Sequence, residues 1–170
     1  MTLPLLPRRG GFLRPFGCGE FIRDFLWGEG LHGSPRTDPD TGSWQAEIFY
    51  QYKIGLIRAI ALDKAIKAEE RRARRENRPI EPDNITDLAN SIMKRMPYRN
   101  WGARYHSFVV YFSDLIRLGW VEESGKVEPS QFQDHYRPGP PRVYYRLTKA
   151  GKEADDHAWA NPHRTLYAGS

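Results

Sequence analysis

Arginine, lysine and asparagine are the residues whose types and spacing suggest a chemistry here, and that chemistry is the recognition of phosphates and base edges. The densest run is RRARRENR, where Arg71, Arg72, Arg74, Arg75 and Arg78 stand within eight positions. Guanidinium groups this close together can grip phosphates of DNA or RNA. Glu69, Glu70 and Glu76 interleave with them, so the run reads equally as a solvated helix end held by pairs such as Glu70 with Arg74. A second group comprises Lys94, Arg95, Arg99, Asn100, Arg104 and Tyr105, with His106 beside them. Arg reads guanine through two parallel hydrogen bonds and Asn reads adenine, while Lys94 and Arg95 can hold backbone phosphates. Lys126, Arg137 and Arg142 form a third, sparser group able to reach backbone or minor groove.

Catalytic patterns are lacking. His32, His106, His135, His157 and His163 show no HExxH or comparable metal spacing, and Asp155-Asp156-His157 reads as a polar cap. Cys18, the single cysteine, has no assignable base, cannot form an internal disulfide and has no second thiolate for a metal. The glycine-rich RRGGFLRPFGCGE lacks the Lys-Ser/Thr of a phosphate loop. Neither an enzyme nor a cofactor is expected. No apolar run reaches the ~20 residues of a membrane-spanning helix. MTLPLLPRRGGF also lacks the apolar centre of a secretory leader. A cytoplasmic, reducing setting without membrane contact is the expectation.

The elements that must position the basic groups follow from periodicity and breakers. Residues 1–43 carry scattered Pro and Gly with Phe12, Phe16, Phe21, Phe25 and Trp27, and predict an irregular arm whose aromatic content makes it dock on its own domain or on a protein partner. Only residues 20–27 have the apolar spacing of a short helix. Residues 44–78 predict one long amphipathic helix with Trp44, Ile48, Tyr52, Leu56, Ala59, Ile60 and Ile66 on its apolar side, Ser43 as cap and a basic end projecting into solvent. At 1.5 Å per residue it would span ~50 Å. After the linker PIEPD, Asn84 is expected to cap a helix that buries Ile85, Leu88, Ala89, Ile92 and Met96 and stops at Pro97. A further helix is predicted from near Trp101 to Leu118, stopped by Gly119. WVEES and RVYYRL predict two strands, the latter with Val143, Tyr145 and Leu147 inward and Arg142, Tyr144 and Arg146 outward. The intervening residues 125–141 read as a long hairpin loop containing Phe132, His135 and Tyr136. Thr148 caps a last helix to about residue 158, and residues 159–170 read as a polar tail.

In ITDLA, LIRLGWVEE and RVYYRLTKAGKEA, over residues 84–158, the chain resembles winged helix-turn-helix transcription regulators, particularly the PadR-like and MarR-like groups. The resemblance implies a mainly α fold with a small antiparallel β wing, here preceded by the long helix and the arm. It also implies that the segments before and after Pro97 are the helix before the turn and the recognition helix. The wing is longer than those families suggest, and the arm has no counterpart in them.

The leading expectation is a duplex-DNA-binding transcription regulator, dimeric through the helix from Ser43, with half-sites ~34 Å apart. The alternative is an assembly subunit of a virion or nucleoprotein particle that uses the winged helix, arm and wing as protein contacts. Charge placement favours nucleic acid. The net +5 of the 170-residue chain lies wholly within residues 44–119, and both flanks are neutral.

Overall fold

A 32-residue helix, α2 (Gln45–Glu76), is the longest element, and what packs on its two halves determines the architecture. The computed structural model describes residues 15–98, 104–128 and 141–168. In chain order they form α1 (Cys18–Trp27), a 3₁₀ turn (Leu31–Gly33), β1 (Ser43–Trp44), α2, α3 (Pro82–Lys94) and α4 (Tyr105–Arg117). There follow β2 (Val121–Glu128), β3 (Arg142–Leu147) and the short helices α5 (Lys149–Glu153), α6 (Asp156–Ala160) and α7 (Pro162–Tyr167). The fold is thus mainly helical with one small antiparallel sheet, ordered β1-β3-β2.

The first half of α2 belongs to the main core. Ile48, Tyr52 and Leu56, at helical spacing, are fully buried among Phe21, Ile22, Phe25 and Leu26 of α1 and Phe108, Phe112 and Leu115 of α4. The apolar side chains at 21, 22, 25 and 26 make α1 one-sided, Glu20 complements its first turn, and Gly28 ends it in the left-handed conformation. Phe16, Phe21 and Phe25 of the arm are therefore spent on the chain's own core, whereas Trp27 stays exposed. The second half of α2 has a different partner. Ile57 and Ala61 pack with Met96, and Ile60, Ile92 and Met93 border them, so α2 and α3 form an antiparallel hairpin with a small core of its own.

Two caps differ from expectation. Ser43 is not a helix cap: it is buried in β1 opposite Tyr145, and Trp44 precedes α2 without a side-chain capping bond. The sheet uses Ser43 as strand because Gly42, at φ 68°, turns the chain tightly against the Tyr145 carbonyl, where any side chain would collide. Asn84 likewise lies inside the first turn of α3, which begins at Pro82 with Glu81 in the cap position. Its amide instead approaches the Glu69 carboxylate at 3.3 Å. Proline's fixed φ makes it the better helix starter.

Gly119 ends α4 as expected, at φ 73°, and Trp120 N–H closes back on the Leu115 carbonyl at 3.1 Å. The expected start of this helix near Trp101 lies outside the described residues, as do Phe132, His135 and Tyr136. β2 continues four residues beyond WVEES, with an irregular register between Glu123 and Val127. β3 has the predicted bounds, but its faces do not alternate as predicted. Tyr144 is buried together with Leu147, because Trp44 of β1 covers it at 5.4 Å between ring centroids. Both faces of this strand are covered, so a simple inside-outside pattern fails.

Beyond β3, Thr148 accepts the Gly151 N–H at 3.0 Å, as a cap should, and its hydroxyl donates to the Gly119 carbonyl. The expected single helix is divided. Asp155 caps α6 by accepting from Ala158 N–H at 2.8 Å, and Asn161 caps α7 by accepting from Arg164 N–H at 3.1 Å. Nor are residues 159–168 a loose polar tail. Trp159 is completely buried against Trp120 at 4.6 Å, with its indole N–H donating to the Gly151 carbonyl at 2.9 Å. His163 Nδ1 lies 3.0 Å from the buried Asp114 carboxylate, joining α7 to α4.

Candidate nucleic-acid interface

The group around the turn into α4 is only partly visible. Arg99 and Asn100 lie outside the described residues. Arg104 occupies the cap position of α4, exposed, followed by Tyr105, which is 46% exposed and sets its ring edge-on to Phe49 at 5.2 Å. Lys94 and Arg95 at the end of α3 are exposed too, and Arg95 Nε donates to the Ser91 carbonyl at 3.3 Å. Among the described residues none of Lys94, Arg95 and Arg104 meets a carboxylate, so their charge is open to a ligand. The rest of α4 is less suited to base edges. After Tyr105 its exposed side chains are His106, Ser107, Val109, Val110, Ile116 and Arg117, half of them apolar.

The sheet holds the third basic group by its aromatic rings. Arg142 sits over Trp44 at 4.7 Å and Lys126 over Tyr144 at 4.5 Å. Lys126 also pairs with Glu128 at 3.3 Å. The Tyr144 hydroxyl and Lys126 together hold the Glu128 carboxyl below its ordinary range, and burial, then the bond to Glu128, pushes the Tyr144 phenol up. Two cations are thereby fixed on the Trp44–Tyr144 side of the sheet. Arg137 lies outside the described residues.

On the helical hairpin the arginines divide by role. Arg78 is committed inward: Nη1 and Nη2 donate to Glu69 at 2.9 and 3.0 Å, and Nε donates to Glu76 at 2.6 Å. Glu69, 2% exposed, also accepts the Glu81 N–H at 2.9 Å. Arg78, and then the Glu81 amide, lower its pKa to about 2. The projecting end is therefore closed by a buried carboxylate. Arg72 pairs with Glu76 at 3.1 Å, whereas the anticipated Glu70–Arg74 pair does not form. Arg71, Arg74 and Arg75 are exposed, with no carboxylate partner among the described residues.

Three residues of this region escaped the reading of the sequence. Lys53 is buried at 7% exposure with its ammonium 4.3 Å from the Tyr98 ring centre and 6.0 Å from that of Phe49, and burial lowers its pKa. Tyr50 and Tyr98 lie together at 5.6 Å, 46% and 37% exposed. Their signal was faint. Both tyrosines stand just off the apolar stripes of their segments, Tyr50 beside Tyr52 and Tyr98 beyond Pro97.

Among the described residues no group of three or more His, Cys, Asp or Glu could hold a metal ion, and no helix is long and apolar enough to cross a membrane. Compared with protein families, curated proteins and solved structures, the chain matches none.

Proposed function

We propose that this protein is a winged-helix nucleic-acid-binding protein, a transcription regulator that engages duplex DNA near the start of α4 and along the β2–β3 pair. The observation that carries the reading is the conjunction of one core with open cations. Helices α1, α2 and α4 surround that core with a sheet ordered β1-β3-β2, and Lys94, Arg95 and Arg104 stand unpaired at the entrance to α4. In this reading the first half of α2, rather than α3, is the middle core helix. The α2–α3 hairpin is then an insertion before the recognition helix, with Arg71, Arg74 and Arg75 able to reach outlying phosphates.

Fluorescence anisotropy with a labelled pool of random-sequence duplexes, titrated across salt, tests it. Binding should fall steeply with salt, and Arg104→Ala or Lys94→Ala should each reduce the log–log salt slope by about one phosphate. Absence of binding at low salt, or a flat salt response, overturns the proposal.

The apolar stripe Val109, Val110 and Ile116 favours a second reading, an assembly subunit joined through α4. Val110→Asp with Ile116→Asp would then lower the sedimenting mass while leaving the thermal transition in place. An unchanged mass eliminates it. The dimer expected through the helix from Ser43 has less to draw on, since Ile48, Tyr52 and Leu56 are filled from within the chain.

A further inference from the structure

Where α2, the end of α3 and the start of α4 meet, the surface carries an unusual mixture of flat rings and positive charge. Tyr50 and Tyr105 are each 46% exposed and Tyr98 37%. They are anchored rather than loose. Tyr105 rests edge-on against buried Phe49, Tyr98 is held on one face by the Lys53 ammonium at 4.3 Å, and Tyr50 leans on Tyr98 at 5.6 Å with ring planes 39° apart. Lys53 itself is buried beneath the rings at 7% exposure, and the open cations of the same chain segments are Arg104, Lys94 and Arg95.

From this juxtaposition we propose that Tyr50, Tyr98 and Tyr105 form a stacking platform for unpaired bases, with the surrounding cations holding the phosphates of a single strand. The proposal rests on the nucleic-acid part of the reading above and not on its duplex part. Every base has a π-face, so aromatic rings set in a basic surface bind single strands with little sequence preference. Duplex DNA cannot use the rings this way, because its bases are stacked on each other and present only edges in the grooves. A purely apolar protein partner would leave Lys94, Arg95 and Arg104 without counter-charge, which argues for a polyanion.

The experiment uses the full chain and two labelled probes, an oligothymidylate that cannot pair with itself and a random-sequence duplex, read by anisotropy at low salt. The wild type is expected to bind the oligothymidylate. Tyr50→Ala and Tyr98→Ala should each weaken that binding by roughly tenfold. Tyr50→Phe and Tyr98→Phe, which keep the ring, should bind like the wild type, and duplex affinity should not move in any of the four. A circular-dichroism melt of each variant confirms that it folds, and Tyr50→Leu or Tyr98→Leu, which fill the space without a π-face and should weaken single-strand binding alike, replace an alanine variant that does not. Single-strand binding without duplex binding supports the platform and overturns the duplex reading. Duplex binding alone, or single-strand binding equal in wild-type and folded alanine variants, overturns the platform and leaves the duplex reading standing. Failure of both probes overturns both.

Discussion

Glu69 illustrates how one buried charge can hold two helices in place. Its carboxylate collects the Arg78 guanidinium and the Glu81 N–H, and its pKa falls from an ordinary 4.5 to about 2. A carboxyl depressed on folding contributes stability that is complete above its unfolded value and disappears as pH falls toward its folded one. The tip of the α2–α3 hairpin should therefore stay closed through mild acid and loosen as pH falls from about 4.5 toward 2. Amide exchange at Glu81 reports this directly. Glu69→Gln should accelerate that exchange at neutral pH, and an unchanged rate would show the carboxylate to be dispensable. Trp159 is the second residue whose loss should be felt widely. Trp159→Ala removes a completely buried ring and is expected to cost about 3–5 kcal/mol in urea denaturation. Trp159→Phe should cost less but still leave the Gly151 carbonyl without its donor, at about 1–3 kcal/mol. Neither role was legible in the sequence. Glu69 stood among charges that all looked solvated, and Trp159 opened a stretch too polar to suggest a core.

At the scale of elements, α1 is the one whose removal tells most. It contributes Phe21, Ile22, Phe25 and Leu26 to the core, and burying each such side chain is worth about 1.5–3 kcal/mol. Their sum is comparable with the total stability of an ordinary domain, about 5–15 kcal/mol. A chain lacking residues 1–40 should show no cooperative thermal transition, and a sharp melt would contradict the packing. Deleting the arm thus cannot separate a binding role from a structural one, whereas point substitutions on α4 can. Much of this level was readable beforehand. The α2 periodicity, the Gly119 stop and the β3 bounds all depend on local preferences that act within a few residues. What was not readable depends on distant partners. Tyr144 is inside because Trp44, far back in the chain, lies over it, and the split of α2 between two cores depends on what α3 and α4 bring to it. Among the candidate contacts, Lys94, Arg95, Arg104 and Tyr105 are exposed as a ligand site requires, while Arg78 is turned inward by a carboxylate that only the folded hairpin brings near.

For the whole molecule, the excess positive charge gains a spatial meaning. It is carried on α2 and on residues 95–104 leading into α4, not on α3, so the segments that hold the surplus border the site proposed to face a polyanion. Raising ionic strength should then weaken ligand binding far more than it alters the melting of the core, whose contacts are apolar. Parallel salt series of binding and of thermal unfolding check this, and a core that melts as salt-sensitively as the ligand dissociates would count against it. The sheet, finally, has a bearing on how the protein is made. Ser43 pairs with Tyr145, and Phe21 shares a core with Trp159, so the first and last described parts of the chain are mutual partners. During synthesis α1 must emerge with its aromatic side uncovered and wait for nearly everything that follows before it can be buried. Such long-range closure slows folding and exposes nascent chains to aggregation. A chain stopped after residue 147 should consequently behave as an unfinished intermediate, sticky and chaperone-bound, even though it retains the long helix and every described strand.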